Sequence, residues 1–213
     1  MINSILKYPI LYRMYQKSVR SKNNEYDFFK FIFSNLKKNK IRMLDIACGD
    51  SFILNYVSEY LEDYLGVDHS DKYLIYSKNK WKNFNFLNLD LNNKENIKYL
   101  NDFRPNFIFM NGVIHHLDNV AVNSVNSFVE SQKESIFLSV DPIKHENKVL
   151  NKIMIKYDRG KYIRSRDQYY KLMKNFKSDI IDDFYKVSFK QIFHHKNLNL
   201  SELYSSWKNS ISK

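Results

Sequence analysis

The chain has 213 residues, 44% hydrophobic and 16% aromatic, with only four glycines and three prolines. That composition suits one folded unit around a single core and excludes a disordered or linker-rich polymer. A net charge of +11 raises nucleic acid or anionic lipid as partners, yet lysine far outnumbers arginine and is spread along the chain with asparagine and isoleucine, the usage of an AT-rich genome.

The densest basic run, Lys37-Lys38-Asn39-Lys40, falls between elements, where solvated lysines are ordinary. No apolar run approaches the roughly twenty residues of a membrane span. The N-terminal MINSILKYPILYRMY is broken by Pro9 and lacks a small-residue cleavage site. A single cysteine excludes an intrachain disulfide and fits a reducing compartment. The expectation is a cytoplasmic protein.

In chain order, residues 2–20 predict a partly helical entry segment and 24–38 an amphipathic helix with Phe28, Phe29, Ile32, Phe33 and Leu36 on one face. Strand one is expected at 42–47, helix 52–61 after it, strand two at 64–68, and helix 71–80 behind Ser70 as cap. Strand three is expected at 84–88, a short helix at 94–101, strand four at 107–110, helix 118–131 and strand five at 135–140. Helices 146–157 and 167–176, strand-like stretches 178–187 and 189–195, and a short terminal helix complete the chain. Strands alternating with helices predict an α/β fold, a mostly parallel sheet with helices on both faces. One domain spans 1–213: an N-terminal helical cap (1–40), a cofactor-binding half (41–141) and a substrate-side half (142–213).

The chemistry gathers at the expected carboxyl ends of the strands, where open α/β sheets bind ligands. Arg42-Met43-Leu44-Asp45-Ile46-Ala47-Cys48-Gly49-Asp50 reads as a buried strand entering a turn without bulk, which lets a ligand lie against bare backbone. About twenty residues after Asp45, a second apolar run ends in Asp68, the placement of a carboxylate for ribose hydroxyls; a helix-capping aspartate is the plain alternative. His69 adjoins it. Strand three runs into Asp90-Leu91, and strand four into Asn111-Gly112 and then His115-His116 in GVIHHLDN. Two of the three glycines of a dinucleotide fingerprint are missing, and no phosphate-loop pattern occurs.

These stretches resemble the class I S-adenosylmethionine-dependent methyltransferases. LDIACGDS is similar to that family's LD(I/V)GCG(T/P)G, with Ala47 and Ser51 where the family has glycine, and GVIHHLDN is similar to its GVLHHLDD. Tyr157-Asp158-Arg159-Gly160-Lys161-Tyr162-Ile163-Arg164-Ser165 resembles the DRG-x-x-(V/I)R-(T/S) segment of a bacterial subgroup, and Tyr8-Pro9…Tyr12…Gln16 its P-x-x-Y-x-x-x-Q entry. The resemblance implies a Rossmann-like seven-stranded sheet and S-adenosyl-L-methionine as cofactor, with S-adenosyl-L-homocysteine as product. It places Asp45, Ala47, Gly49, Asp68, His69, Asp90, Leu91, Asn111 and Gly112 around the cofactor.

His115 or His116 is the candidate general base for a hydroxyl acceptor, since imidazole titrates near neutrality; shaping the pocket through backbone hydrogen bonds is the plainer role. Arg159 and Arg164 are candidates to clamp a phosphate or carboxylate by paired donors, or to form intradomain ion pairs such as Arg159 with Asp158 or Asp183. Tyr12, Gln16 and Tyr162 are candidates for the acceptor side. No metal is expected, because the histidines form adjacent pairs without a cysteine cluster. The expected acceptor is a small molecule or a glycan or nucleotide-sugar precursor, anionic or neutral, methylated on oxygen before nitrogen or carbon. The competing readings are an RNA or protein methyltransferase using the basic surface, and a non-catalytic relative that binds partners.

Overall fold

The computed structural model describes residues 25–36, 40–144, 155, 158, 160–181, 190–194 and 198–211. Its centre is a seven-stranded sheet: β1 (Ile41–Ile46), β2 (Leu61–Asp68), β3 (Asn85–Asn88), β4 (Phe107–Asn111), β5 (Ile136–Pro142), β6 (Lys177–Ile181) and β7 (Lys190–His194), in the order β3-β2-β1-β4-β5-β7-β6. Strands β1 to β5 pair in parallel, and β7 lies antiparallel between β5 and β6. The carboxyl ends of β1 to β5 therefore share one edge, and the order reverses between β1 and β4.

Alternation along the central strands explains why helices cover both faces. Leu44, Ile46, Ile108, Met110, Phe137 and Phe193 face one way, into a core shared with α5 (Asn119–Ser131) and α6 (Arg166–Leu172). Met43, Phe107, Phe109, Leu138, Val140 and Ile192 face the other way, against α1 (Glu25–Asn35), α2 (Leu54–Val57) and α7 (Leu200–Ile211). Phe28, Phe29, Ile32 and Phe33 of α1 are fully buried there, each removal from water contributing about 1.5–3 kcal/mol. The helices α3 (Asp71–Lys80) and α4 (Lys94–Ile97) connect β2 to β3 and β3 to β4.

The mostly parallel sheet expected from the alternation is present, in the seven-stranded Rossmann-like form that the resemblance implies, with one clear departure. The helix expected at 52–61 is a single turn at α2, tightening into a 3-10 turn over 58–60. Leu61 instead pairs with Ile41, so β2 begins three residues before the expected 64. The apolar spacing that suggested a longer helix serves a short helix and then a strand. The entry segment 2–20, helix 146–157 apart from Ile155, and the 182–187 part of the first late strand lie outside the described residues.

Candidate functional site

The turn after β1 has an unusual backbone. Ala47, Gly49 and Ser51 all have positive φ, at 56°, 53° and 52°. Left-handed backbone costs an L-residue about 1–2 kcal/mol, so Ala47 and Ser51 hold the glycine conformation without being glycine. The turn is pinned from β2: the Cys48 amide donates to the Val67 carbonyl at 2.9 Å and the Gly49 amide to Asp68 Oδ2 at 2.9 Å. Asp68 Oδ1 accepts from the Ser70 amide at 2.8 Å, with His69 Nδ1 3.6 Å away on an exposed ring. A buried Asp68 carboxylate thus stands directly against the backbone of the turn. Gly66 makes the close approach possible, because a Cβ there would lie 2.9 Å from Cys48 Sγ, Tyr64 Cε1 and Phe86 Cδ1 alike.

Beneath the turn, Asp45 is 3% exposed and accepts a 2.7 Å hydrogen bond from the Tyr64 hydroxyl. Burial pushes its pKa up to about 7; the Tyr64 bond opposes this, and the charges of Asp68 and Asp50 add to it. Its carboxylate faces Tyr64 below the turn. At the end of β3, Asp90 is exposed and accepts from the Asn92 amide at 2.9 Å, while Leu91 is buried. At the end of β4, Asn111 Nδ2 lies 3.4 Å from Glu25 Oε1 and 3.5 Å from the Tyr26 hydroxyl, which brings the start of α1 to the site. The backbone turns at Gly112, with φ +72° and its amide on the Val140 carbonyl.

His115 follows in the 3-10 turn over 114–116 and is 5% exposed. Its Nδ1 lies 2.8 Å from Oδ1 of Asp141, a fully buried residue of β5, and its Nε2 lies 3.4 Å from Asp158 Oδ1. Burial alone would lower its pKa; the hydrogen bonds and charges of Asp141 and Asp158 outweigh it and raise the value. His115 is thus held at both ring nitrogens, Nδ1 by Asp141 and Nε2 by Asp158, an arrangement that fixes the orientation of the ring. His116 is exposed beside it, the ring centroids 4.1 Å apart. One donor atom each from His115, His116 and Asp158 lies within 4.8 Å of the others.

Gly160 presses onto this cluster: a Cβ there would lie 2.1 Å from His115 Cδ2. The Tyr162 amide donates to the His115 carbonyl at 2.9 Å, and the Tyr162 ring is exposed. Arg164 requires a correction. It is 7% exposed, and its two terminal nitrogens make four hydrogen bonds: to the carbonyls of Ile114 (3.0 Å), Tyr162 (3.0 Å) and Leu117 (2.9 Å), and to Asn119 Oδ1 (2.8 Å). Arg164 is a strut for the loop after β4, with its terminal donors spent on the fold and not on an anion. Tyr12, Gln16 and Arg159 lie outside the described residues.

Residues 44–128, from β1 into α5, match the family model described as a methyltransferase domain. No curated protein matches the sequence. Among solved structures, the chain is similar to an S-adenosylmethionine-dependent methyltransferase from Archaeoglobus fulgidus at 16% identity and TM-score 0.58, over 79% of this chain and 94% of that one. It is similar to the magnesium protoporphyrin IX methyltransferase of Synechocystis PCC 6803, solved with bound SAH, at 12% identity and TM-score 0.56, over 80% of each chain. A Pyrococcus horikoshii OT3 protein superposes at 15% identity and TM-score 0.58, over 79% of this chain and 88% of that one. At these identities the likeness shows the fold, which is that of the class I methyltransferases.

Proposed function

We propose that this chain transfers a methyl group from S-adenosyl-L-methionine to an oxygen of a small molecule or of a glycan or nucleotide-sugar precursor. The observation that carries the reading is the buried Asp68 carboxylate against the left-handed turn at Gly49, at the strand-order reversal where open sheets bind ligands. A vicinal diol suits a carboxylate acceptor there, and a cofactor without phosphate needs few bare amides. Bound, the cofactor supplies a methyl group already activated on sulfur.

In this reading Asp68 takes the ribose hydroxyls with His69 at the rim, and Ala47 and Gly49 give the close backbone. Asp45 orders the turn through Tyr64. Asp90 and Leu91 flank the adenine, and Asn111 and Gly112 run beside the methionyl part. The chain's own contribution is orientation and exclusion of water, which governs an in-line displacement. Tyr162, with Tyr12, Gln16 and Arg159, belongs to the acceptor side, and His115 and His116 lie in the loop that would face the acceptor hydroxyl. The division into a cap (1–40), a cofactor half (41–141) and a substrate half (142–213) belongs to the same reading, as does a cytoplasmic setting.

Calorimetric titration with S-adenosyl-L-methionine and S-adenosyl-L-homocysteine, beside Asp68→Ala, tests it. Micromolar binding by the native protein and at least about tenfold weaker binding by the variant are expected for the loss of a charge-assisted pair. Failure of the native protein to bind either compound, even with candidate nucleotide-sugars present, would overturn the proposal.

A further inference from the structure

The His115–His116–Asp158 cluster has a property that the cofactor reading leaves unused. Imidazole and carboxylate donors converge within 4.8 Å, and the 3.4 Å between His115 Nε2 and Asp158 Oδ1 suits two ligands of one cation at about 2.0–2.2 Å each. Behind them, Asp141 holds His115 Nδ1 at 2.8 Å and is itself fully buried, accepting from the Ser139 hydroxyl at 3.2 Å. A carboxylate on the far nitrogen of a histidine fixes its tautomer and aims the near nitrogen outward, the arrangement found behind metal-ligating histidines. In front, His116 is exposed and the Asp158 side chain is about one-third exposed, at 34%, so coordination positions remain toward the site. Gly160 completes the cradle, since any side chain there would meet the His115 ring.

We propose that His115, His116 and Asp158 bind a divalent transition-metal cation, with zinc the best match to two imidazoles and a carboxylate, and that Asp141 orients His115 as a ligand. Three protein ligands with an open position are the composition of a catalytic zinc site. The cation would be held by His115 Nε2, the nitrogen facing Asp158. What the ion does there rests on the methyl-transfer reading: at the end of β4, beside Asn111 and Gly112, it would polarise a hydroxyl acceptor as a Lewis acid. Binding of the ion does not depend on that reading.

The test is titration of the chelator-treated full chain with zinc, and with cobalt read by its visible absorption. His116→Gln, Asp158→Asn and Asp141→Asn are compared after thermal melts show that each folds. The expected result is one zinc per chain and an intense tetrahedral cobalt spectrum. Affinity should fall at least about tenfold in the two ligand variants, and about 10- to 100-fold in Asp141→Asn. Absence of stoichiometric zinc, or zinc held equally by His116→Gln and Asp158→Asn, would overturn the proposal and leave the cluster a hydrogen-bonded clamp. Zinc bound by a chain that ignores S-adenosyl-L-methionine would sink the methyl-transfer reading and keep the metal site. The reverse pair of results would do the opposite.

Discussion

Replacing Asp45 with asparagine should stabilise the protein at neutral and alkaline pH and leave it unchanged in acid. The carboxyl group is buried with one hydrogen bond, from Tyr64, and titrates at about 7 in the fold against 3.8 for the ordinary side chain. A raised carboxyl pKa means that the folded state keeps a proton that the unfolded chain has released. The favourable contribution is complete below the unfolded value, declines through the window between, and is lost as pH passes the folded value. Each pH unit in the window corresponds to about 1.4 kcal/mol, and a separation of about three units gives a ceiling of about 4 kcal/mol. Asparagine retains the shape and an oxygen for the Tyr64 hydroxyl but never ionises. Urea unfolding of both proteins from about pH 4.5 to 8.5 isolates this residue, because every other carboxyl is common to the pair. The stability difference should grow from about 1 kcal/mol at pH 4.5 to about 4 kcal/mol and level off above about pH 7. A difference that stays flat with pH, or a variant less stable than the native protein in alkali, would refute the reasoning.

Two further substitutions probe the loop after β4. Arg164→Lys should cost about 3 kcal/mol in denaturant unfolding, because one ammonium cannot replace the four hydrogen bonds of the guanidinium terminal nitrogens to Ile114, Leu117, Tyr162 and Asn119; native stability with selectively weakened binding of an anionic acceptor would restore the clamp. Gly160→Ala should cost about 1–3 kcal/mol by overpacking against His115 and open residues 158–162 to proteolysis, whereas Gly49→Ala, with nothing within 4 Å of its Cβ, should lose only the left-handed preference of about 1–2 kcal/mol.

The sheet was legible because burial on both faces writes long apolar runs into the central strands, and Asp45, Asp68, Asp90 and Asn111 all fall at strand ends where the pattern puts them. Boundaries failed where one apolar pattern suits two periods, as at Leu61, which reads as a helix residue and pairs as a strand residue. Partnerships across the fold were not legible. His115 was visible in its motif, but Asp141 lies 26 residues further along, and only the return of the chain over Gly160 sets Asp158 at its other nitrogen. Arg164 was equally visible as a cation, yet its acceptors are mostly backbone carbonyls, which every residue carries and no pattern of side chains reveals. Tyr64 lies at the start of the expected second strand, and its hydroxyl on Asp45 depends on the register that sets it opposite Met43, two residues before that acid.

The turn after β1 also bears on how such a chain drifts over evolutionary time. The turn is defined by its torsion angles, left-handed at 47, 49 and 51, and glycine, alanine and serine can all supply them at differences of about 1–2 kcal/mol. Exchange among those three letters keeps the turn's shape at a cost of about 1–2 kcal/mol, while each exchange erases part of the spelling by which the turn is recognised. The sign of φ therefore defines this turn where its count of glycines does not.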